Sequence, residues 1–350
     1  MGMEAPARKF GNSPLFLGVL FLMFMTMCFS MGYPVLNRYD PRTIEGVGCD
    51  ATEYYKMAEF NYGEADAPFR FRVLVPTLAG LVFPVISRFC PHSWNPMFLS
   101  LLFVNALFLS SAALLLLFLA LHLKLGTTAS ILAPFLFLTG FPIANGHLSG
   151  LVDAGEAFFI MALIVCVAKR KWPYCPGIIL VSSLAKETTV LFGSTFLFVS
   201  WLADFAAAKD KDYRPVPFIG LSILAAAISV PVISALVGGE PYSVHAFSGE
   251  QLQHLFPNLA IVLTAGTMLY TFIFLLPAGL YHALRMPGWF LYGSLAMGAA
   301  AVLCGAYAKI GGNLYRPLFD TIAPLLCISA ALTIGHIISF FNERWGGASP

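Results

Sequence analysis

Long apolar runs separated by short polar breaks dominate the chain. After Arg8 and Lys9, one run extends from Pro14 to Met31; others cover about 73–86, 97–121, 129–144, 150–168, 176–185, 188–206, 216–237, 258–284, 288–308 and 317–340. A bilayer span takes roughly 20 apolar residues. The runs are continuous rather than alternating, so they predict helices and not the strands of a transmembrane barrel. The first run is too long for a signal-peptide core and lacks a small-residue cleavage site, so it reads as a retained span.

The polar breaks set the topology. Basic residues stay on the cytoplasmic side of a membrane. Arg8 and Lys9, then Lys169-Arg170-Lys171, then Lys209, Lys211 and Arg214, then Arg285 and Arg344 therefore mark inner ends. With those fixed, the polar stretch 34–72 and the run 97–121 both begin outside, so 73–86 is not a crossing. That run is short, carries Pro76 and Pro84, and follows Arg70 and Arg72. Residues 51–60 and 68–90 accordingly read as juxtamembrane helices at the outer interface. The expectation is an all-α polytopic membrane protein with about ten spans and both termini cytoplasmic. It forms a single transmembrane domain over 1–350 with a first outer loop at 34–96, a second at 238–257, and no separate soluble domain.

Composition agrees. Of 350 residues, 58% are hydrophobic and 11% charged, with net charge +2 and mean hydropathy +0.78. Soluble domains carry about 25% charged residues, so a cytosolic enzyme, a nucleic-acid binder and a disordered scaffold are excluded. Of the seven cysteines, Cys28, Cys166, Cys304 and Cys327 sit in apolar runs, and none has metal-ligand spacing. No internal repeat is obvious, which weighs against an inverted-repeat transporter.

Where charge is scarce, its placement is informative, because an ionised group near the bilayer core costs several kcal/mol and persists with a partner or a purpose. Five outer-side elements stand out. The first is Asp50-Ala51-Thr52-Glu53-Tyr54-Tyr55, where Asp50 with Glu53 suits a helix cap or places a general base at the membrane surface. In Pro68-Phe69-Arg70-Phe71-Arg72 the guanidinium groups either snorkel or grip a lipid phosphate. Around His147, Asp153 and Glu156 stand three apart at a span start, more acid than the helix dipole asks for. Lys186-Glu187-Thr188 offers either a local pair or a cation for phosphate. Arg316 and Asp320 are spaced for an ion pair along one helix, although Arg316 also sits where an anionic headgroup arrives.

The order of these features resembles the GT-C superfamily of integral-membrane glycosyltransferases. The resemblance rests on an N-terminal span, an outer loop with Asp50 before Tyr54 and Tyr55, the Pro-Phe-Arg-Phe-Arg segment, Asp153 opening a span, the Leu184-Ala185-Lys186-Glu187-Thr188 hairpin, and Arg316 opening the last helix. It implies a polyprenyl-phosphate-linked sugar donor entering from the bilayer and transfer to a lipid or glycan acceptor hydroxyl on the periplasmic or luminal face, in a bacterial inner membrane. The first-loop acid, here Asp50, acts as base in a single inverting displacement, with Asp40 and Glu53 as substitutes. Arg70, Arg72, Lys186 and Arg316 then contact the donor phosphate. Glu53, Tyr54, His147, Asp153, Glu187 and His245 support the substrates. No cofactor is required by this reading, although Asp50, His147 and Asp153 are oxygen and nitrogen donors for a divalent metal. Membrane lipids are partners and nucleic acid is not. The competing readings are a transporter or flippase for a lipid-linked substrate, and another outer-face transferase such as an acyltransferase or polysaccharide polymerase based on His147 or His245.

Overall fold

A computed structural model describes residues 13–38, 50–91, 94–238, 255–307 and 311–345. All regular structure among them is helical. The helices are α1 (Pro14–Arg38), α2 (Asp50–Ala58), α3 (Leu74–Phe89), α4 (Pro96–His122), α5 (Thr127–Leu138), α6 (Asp153–Ala168), α7 (Cys175–Ala185), α8 (Glu187–Ala207), α9 (Val216–Val237), α10 (Leu255–Thr264), α11 (Gly266–Phe272), α12 (Leu275–Ala283), α13 (Gly288–Tyr307) and α14 (Tyr315–Trp345). Short 3-10 turns follow α2 at Tyr62–Glu64 and Phe69–Phe71, and a π turn at Ile143–His147 lies between α5 and α6.

Among the described residues six helices are long and apolar enough to cross a membrane: α4, α8, α9, α13, and the Pro14–Gly32 and Tyr315–Arg344 portions of α1 and α14. The pair α10–α11, bent by 53°, adds a seventh if taken as one broken span. The apolar runs about 129–144, 150–168 and 176–185 correspond to α5, α6 and α7, which at 12, 16 and 11 residues are shorter than a typical span. Pro142 and the π turn end the first of these early, while Lys186 interrupts the run between α7 and α8.

Helix α4 is the hub. It packs against α1, α3, α5 and α6, and its faces are buried nearly all round, as a helix apolar on every side requires. Asn95 starts it by accepting hydrogen bonds from the amides of Met97 and Phe98, with Pro96 in the first turn. Around α4, α6 and α7–α8 form a second layer, and α13 and α14 close the bundle against α8 and α12. Small residues set the closest approaches. A Cβ on Gly293 of α13 would meet Ser200 and, at 2.8 Å, Phe196 of α8. By contrast, α9 presents Leu221, Leu224, Ile228, Val232 and Leu236 outward, an apolar surface suited to lipid.

Helix α3 is apolar on both faces. It buries Val75, Ala79 and Gly80, exposes Leu81, Val85 and Phe89, and packs on α2 and α4. Glu53 does not complete a capping box. One of its oxygens accepts from Lys56 at 2.8 Å and the other from the Asp66 amide at 2.8 Å, which ties the loop after α2 back onto that helix.

Candidate functional site

Four acids stand in the first turns of three helices: Asp50 in α2, Asp153 and Glu156 in α6, and Glu187 in α8. Helix starts carry partial positive charge, so each position is favourable for a carboxylate. Arg316 occupies the first turn of α14, where the same dipole opposes it, and it therefore needs a compensating anion. These four helix starts and the segment after Phe71 meet at one end of the bundle.

Lys186 sits in extended backbone between α7 and α8, buried, and donates to Asp153 Oδ1 at 2.6 Å and to Glu156. The other Asp153 oxygen accepts from Arg316 at 2.8 Å. The second Glu156 oxygen accepts from the Thr188 hydroxyl at 2.7 Å. Next to them, Arg72 makes a two-pronged contact with Glu187 at 2.8 and 2.5 Å and donates to the Tyr54 hydroxyl at 2.7 Å. Burial opposes the Arg72 charge, but Glu187 and Tyr54 hold its pKa above the ordinary arginine value. Burial pushes the Tyr54 phenol up to about 12 despite Arg72, so Tyr54 is a neutral partner at physiological pH.

Two local pairs suggested by spacing are replaced by contacts across the bundle. Lys186 and Glu187 do not pair with each other; the chain turns between them, sending one to α6 and the other to Arg72. Arg316 and Asp320 are one turn apart on α14, but Arg316 reaches Asp153, while Asp320 Oδ1 lies 2.6 Å from His147 Nε2. Tertiary partners win because both side chains are largely withdrawn from water, where an exposed pair worth a few tenths of a kcal/mol gives way to buried ones of higher stakes.

The predicted residues thus divide. Tyr54, Arg72, His147, Asp153, Lys186, Glu187 and Arg316 join one cluster, with Glu156 and Asp320 as further members. Asp50, half-buried at the start of α2, stands close enough to act electrostatically on Arg316. Glu53 faces its own loop. Arg70 is apart from the network and donates to the Gly238 carbonyl at 3.1 Å. Lys186 and Arg72, expected as phosphate ligands, spend donors on carboxylates, whereas the buried Nε of Arg316 has no hydrogen-bond partner. Asp40, His245 and the other polar residues of 239–254 lie outside the described residues, as does Lys309.

The metal reading meets occupied donors. Both oxygens of Asp153 accept from cations, and the two ring nitrogens of His147 face Pro142 O at 2.9 Å and Asp320. Among the described residues no group of three His, Cys, Asp or Glu side chains is placed to hold a metal ion.

Two contributors escape sequence reasoning. Asn105, buried in the middle of the apolar run of α4, donates to the Leu151 carbonyl at 2.8 Å and so supports the turn that delivers Asp153. A lone amide in an apolar run was the available signal. Gly146 is the second: a Cβ there would meet Arg316 Cδ at 2.6 Å, so the glycine lets the Arg316 stem lie against the π turn. Beside it, the Phe141 ring packs on Tyr315 and Tyr270, centroids 5.5 and 5.7 Å away.

A cavity of about 660 Å³ lies elsewhere, lined by Arg170, Trp172, Trp201, Asp204 and Asp212 among others. It is at the other end of α6, about 24 Å from Asp153 at 1.5 Å per helical residue. It contains none of the cluster residues, and its charges are balanced by Arg170–Asp204 and Arg214–Asp212 pairs.

Comparison with known protein families, with curated proteins and with solved structures finds no match for this chain.

Proposed function

We propose that this protein is an integral-membrane glycosyltransferase of the GT-C type that moves a sugar from a polyprenyl-phosphate donor to an acceptor hydroxyl on the outer face. The observation that carries the reading is Arg316, held by Asp153 with its Nε left without a partner, while half-buried Asp50 stands within electrostatic reach of it. A sugar hydroxyl is a weak nucleophile. Asp50 takes its proton as the oxygen attacks the anomeric carbon. The bond from that carbon to the phosphate oxygen breaks, and Arg316 stabilises the charge gathering on the departing lipid phosphate. One displacement inverts the anomeric centre. Tyr54, Arg72 and Glu187 fix α2 against the bundle, while Lys186, itself held by Glu156, fixes Asp153, which orients Arg316. The second outer loop, 238–257 with His245, serves the acceptor side.

In this reading the six long helices, the bent α10–α11 pair and the short α5, α6 and α7 make ten crossings. Both termini are cytoplasmic in a bacterial inner membrane, and the cluster lies at the periplasmic end. The test is sugar transfer by purified protein from polyprenyl-phosphate-linked donors. Asp50→Asn should lower turnover by about 10²–10⁴-fold, the usual share of a general base. Undiminished turnover removes Asp50 from that role.

A second reading, a transporter for a lipid-linked substrate, draws on one observation: the cluster's acids and cations pair with one another inside the bundle, as ionisable groups along an intramembrane substrate path do. Movement of the lipid-linked sugar across vesicles that lack any acceptor would favour it over transfer.

A further inference from the structure

His147 and Asp320 are both fully buried, and their hydrogen bonds constrain a proton. A backbone carbonyl only accepts, so His147 Nδ1, 2.9 Å from Pro142 O, carries hydrogen. The other ring nitrogen then faces Asp320 Oδ1 at 2.6 Å. A bare lone pair against a bare carboxylate at that distance is repulsive. One more proton therefore lies between them, on the ring as imidazolium or on the acid.

Charge balance reaches the same place independently. The side chains joined by ion pairs in the cluster are four acids, Asp153, Glu156, Glu187 and Asp320, and three permanent cations, Arg72, Lys186 and Arg316, of which Arg72, Glu187 and Arg316 are part-buried and the rest buried. One positive charge is missing, and unbalanced charge in a low-dielectric interior is costly. Glu156 needs no proton, because both its oxygens accept from Lys186 and Thr188. The charged groups facing His147 are Asp320 from α14 and Asp153 from α6, and the Arg316 stem lies against the neighbouring Gly146.

We infer that His147 and Asp320 hold one shared proton, and that this proton decides which carboxylate Arg316 serves. Arg316 and Asp320 are four apart on α14, and each keeps one buried atom without a partner, Nε and Oδ2. They form a latent ion pair. With the proton in place, Asp320 is satisfied by His147, and Arg316 stays with Asp153. With the proton gone to solvent, Asp320 is a full carboxylate one turn from Arg316 and draws the guanidinium away from the donor phosphate. His147 is thus a positioning residue for Arg316. The consequence for catalysis rests on the proposed transfer reaction, while the shared proton does not.

Nitrogen-15 spectra of the full-length protein in lipid nanodiscs, compared with His147→Gln to assign the signal, read the proton directly. Expected is a His147 ring with Nδ1 protonated and Nε2 in a strong shared hydrogen bond; a ring with an unprotonated, unbonded Nε2 overturns the inference. In sugar transfer, His147→Gln should raise the donor KM by about tenfold, or about 1.4 kcal/mol, because Asp320 is left charged. His147→Gln/Asp320→Asn should restore KM to within about twofold, since no carboxylate then competes. A double variant as impaired as the single one overturns the partner exchange. If the wild-type protein transfers no sugar, the transfer reading fails while the nitrogen-15 result still decides the proton.

Discussion

Lys186 is the residue on which most of the cluster depends. Its single ammonium neutralises Asp153 and Glu156, and Asp153 in turn holds Arg316. Replacing one partner of a buried pair leaves an uncompensated charge and typically costs about 3–5 kcal/mol, far more than an exposed pair contributes. Lys186→Met should therefore lower the thermal unfolding midpoint of the detergent-purified protein sharply, and Lys186→Met/Glu156→Gln should recover part of the loss by removing one of the stranded acids. A midpoint unmoved by Lys186→Met would show that the two acids are not held as ions. At this scale the sequence exposed which residues matter and not whom they meet. Scarce charge in an apolar chain pointed to Asp153, Lys186 and Arg316. Spacing suggested the partners Lys186–Glu187 and Arg316–Asp320, and both suggestions fail, because a buried side chain chooses among neighbours from other helices that spacing does not reveal.

At the scale of elements, the bundle is organised by small residues rather than by amphipathic stripes. Helices α4 and α13 are apolar on all sides, so the hydrophobic pattern does not say which face meets which neighbour; glycines at the crossings do. Gly293 lets α13 approach α8 against Phe196 and Ser200, and Ser200 anchors the same contact by donating to the Trp289 carbonyl at 2.9 Å. Close backbone approach of this kind is a leading source of helix association in a membrane. Gly293→Val should separate α13 from α8 and destabilise by about 1–3 kcal/mol, the range for overpacking. Gly177→Ala in α7, where an added Cβ meets nothing within 4 Å, should cost nothing. Equal unfolding midpoints for the two variants would contradict this packing. The apolar runs located most helices, but not their lengths: the run 129–144 yields a helix that ends at Leu138 before Pro142 and the π turn, and the run 258–284 divides into α10, α11 and α12.

At the scale of the whole molecule, the two ends are chemically different. One gathers Asp50, Asp153, Lys186 and Arg316; the other carries Lys169, Arg170, Lys209, Lys211 and Arg214 around short turns. If the basic end is cytoplasmic, cysteines placed at the exposed positions Asn61 and Asp210 in a cysteine-free background should react with an impermeant thiol reagent from opposite sides of the membrane. Asn61→Cys should label in intact cells and Asp210→Cys after permeabilisation. Labelling of both from one side would overturn the orientation and the outer placement of the cluster.

By itself the sequence determined the class of molecule, the approximate position of its helices and the residues whose charge needs explaining, because hydropathy and the cost of buried charge act locally and leave a mark on composition. Only the tertiary structure decided the pairing of those charges: Arg72 with Glu187, Lys186 with two acids of α6, Arg316 with Asp153, and His147 with Asp320. Each of these contacts joins residues at least 30 positions apart. Their partners are set by how helices cross, and the crossings depend on glycines, a lone buried asparagine and a π turn whose effect appears only when the bundle is assembled.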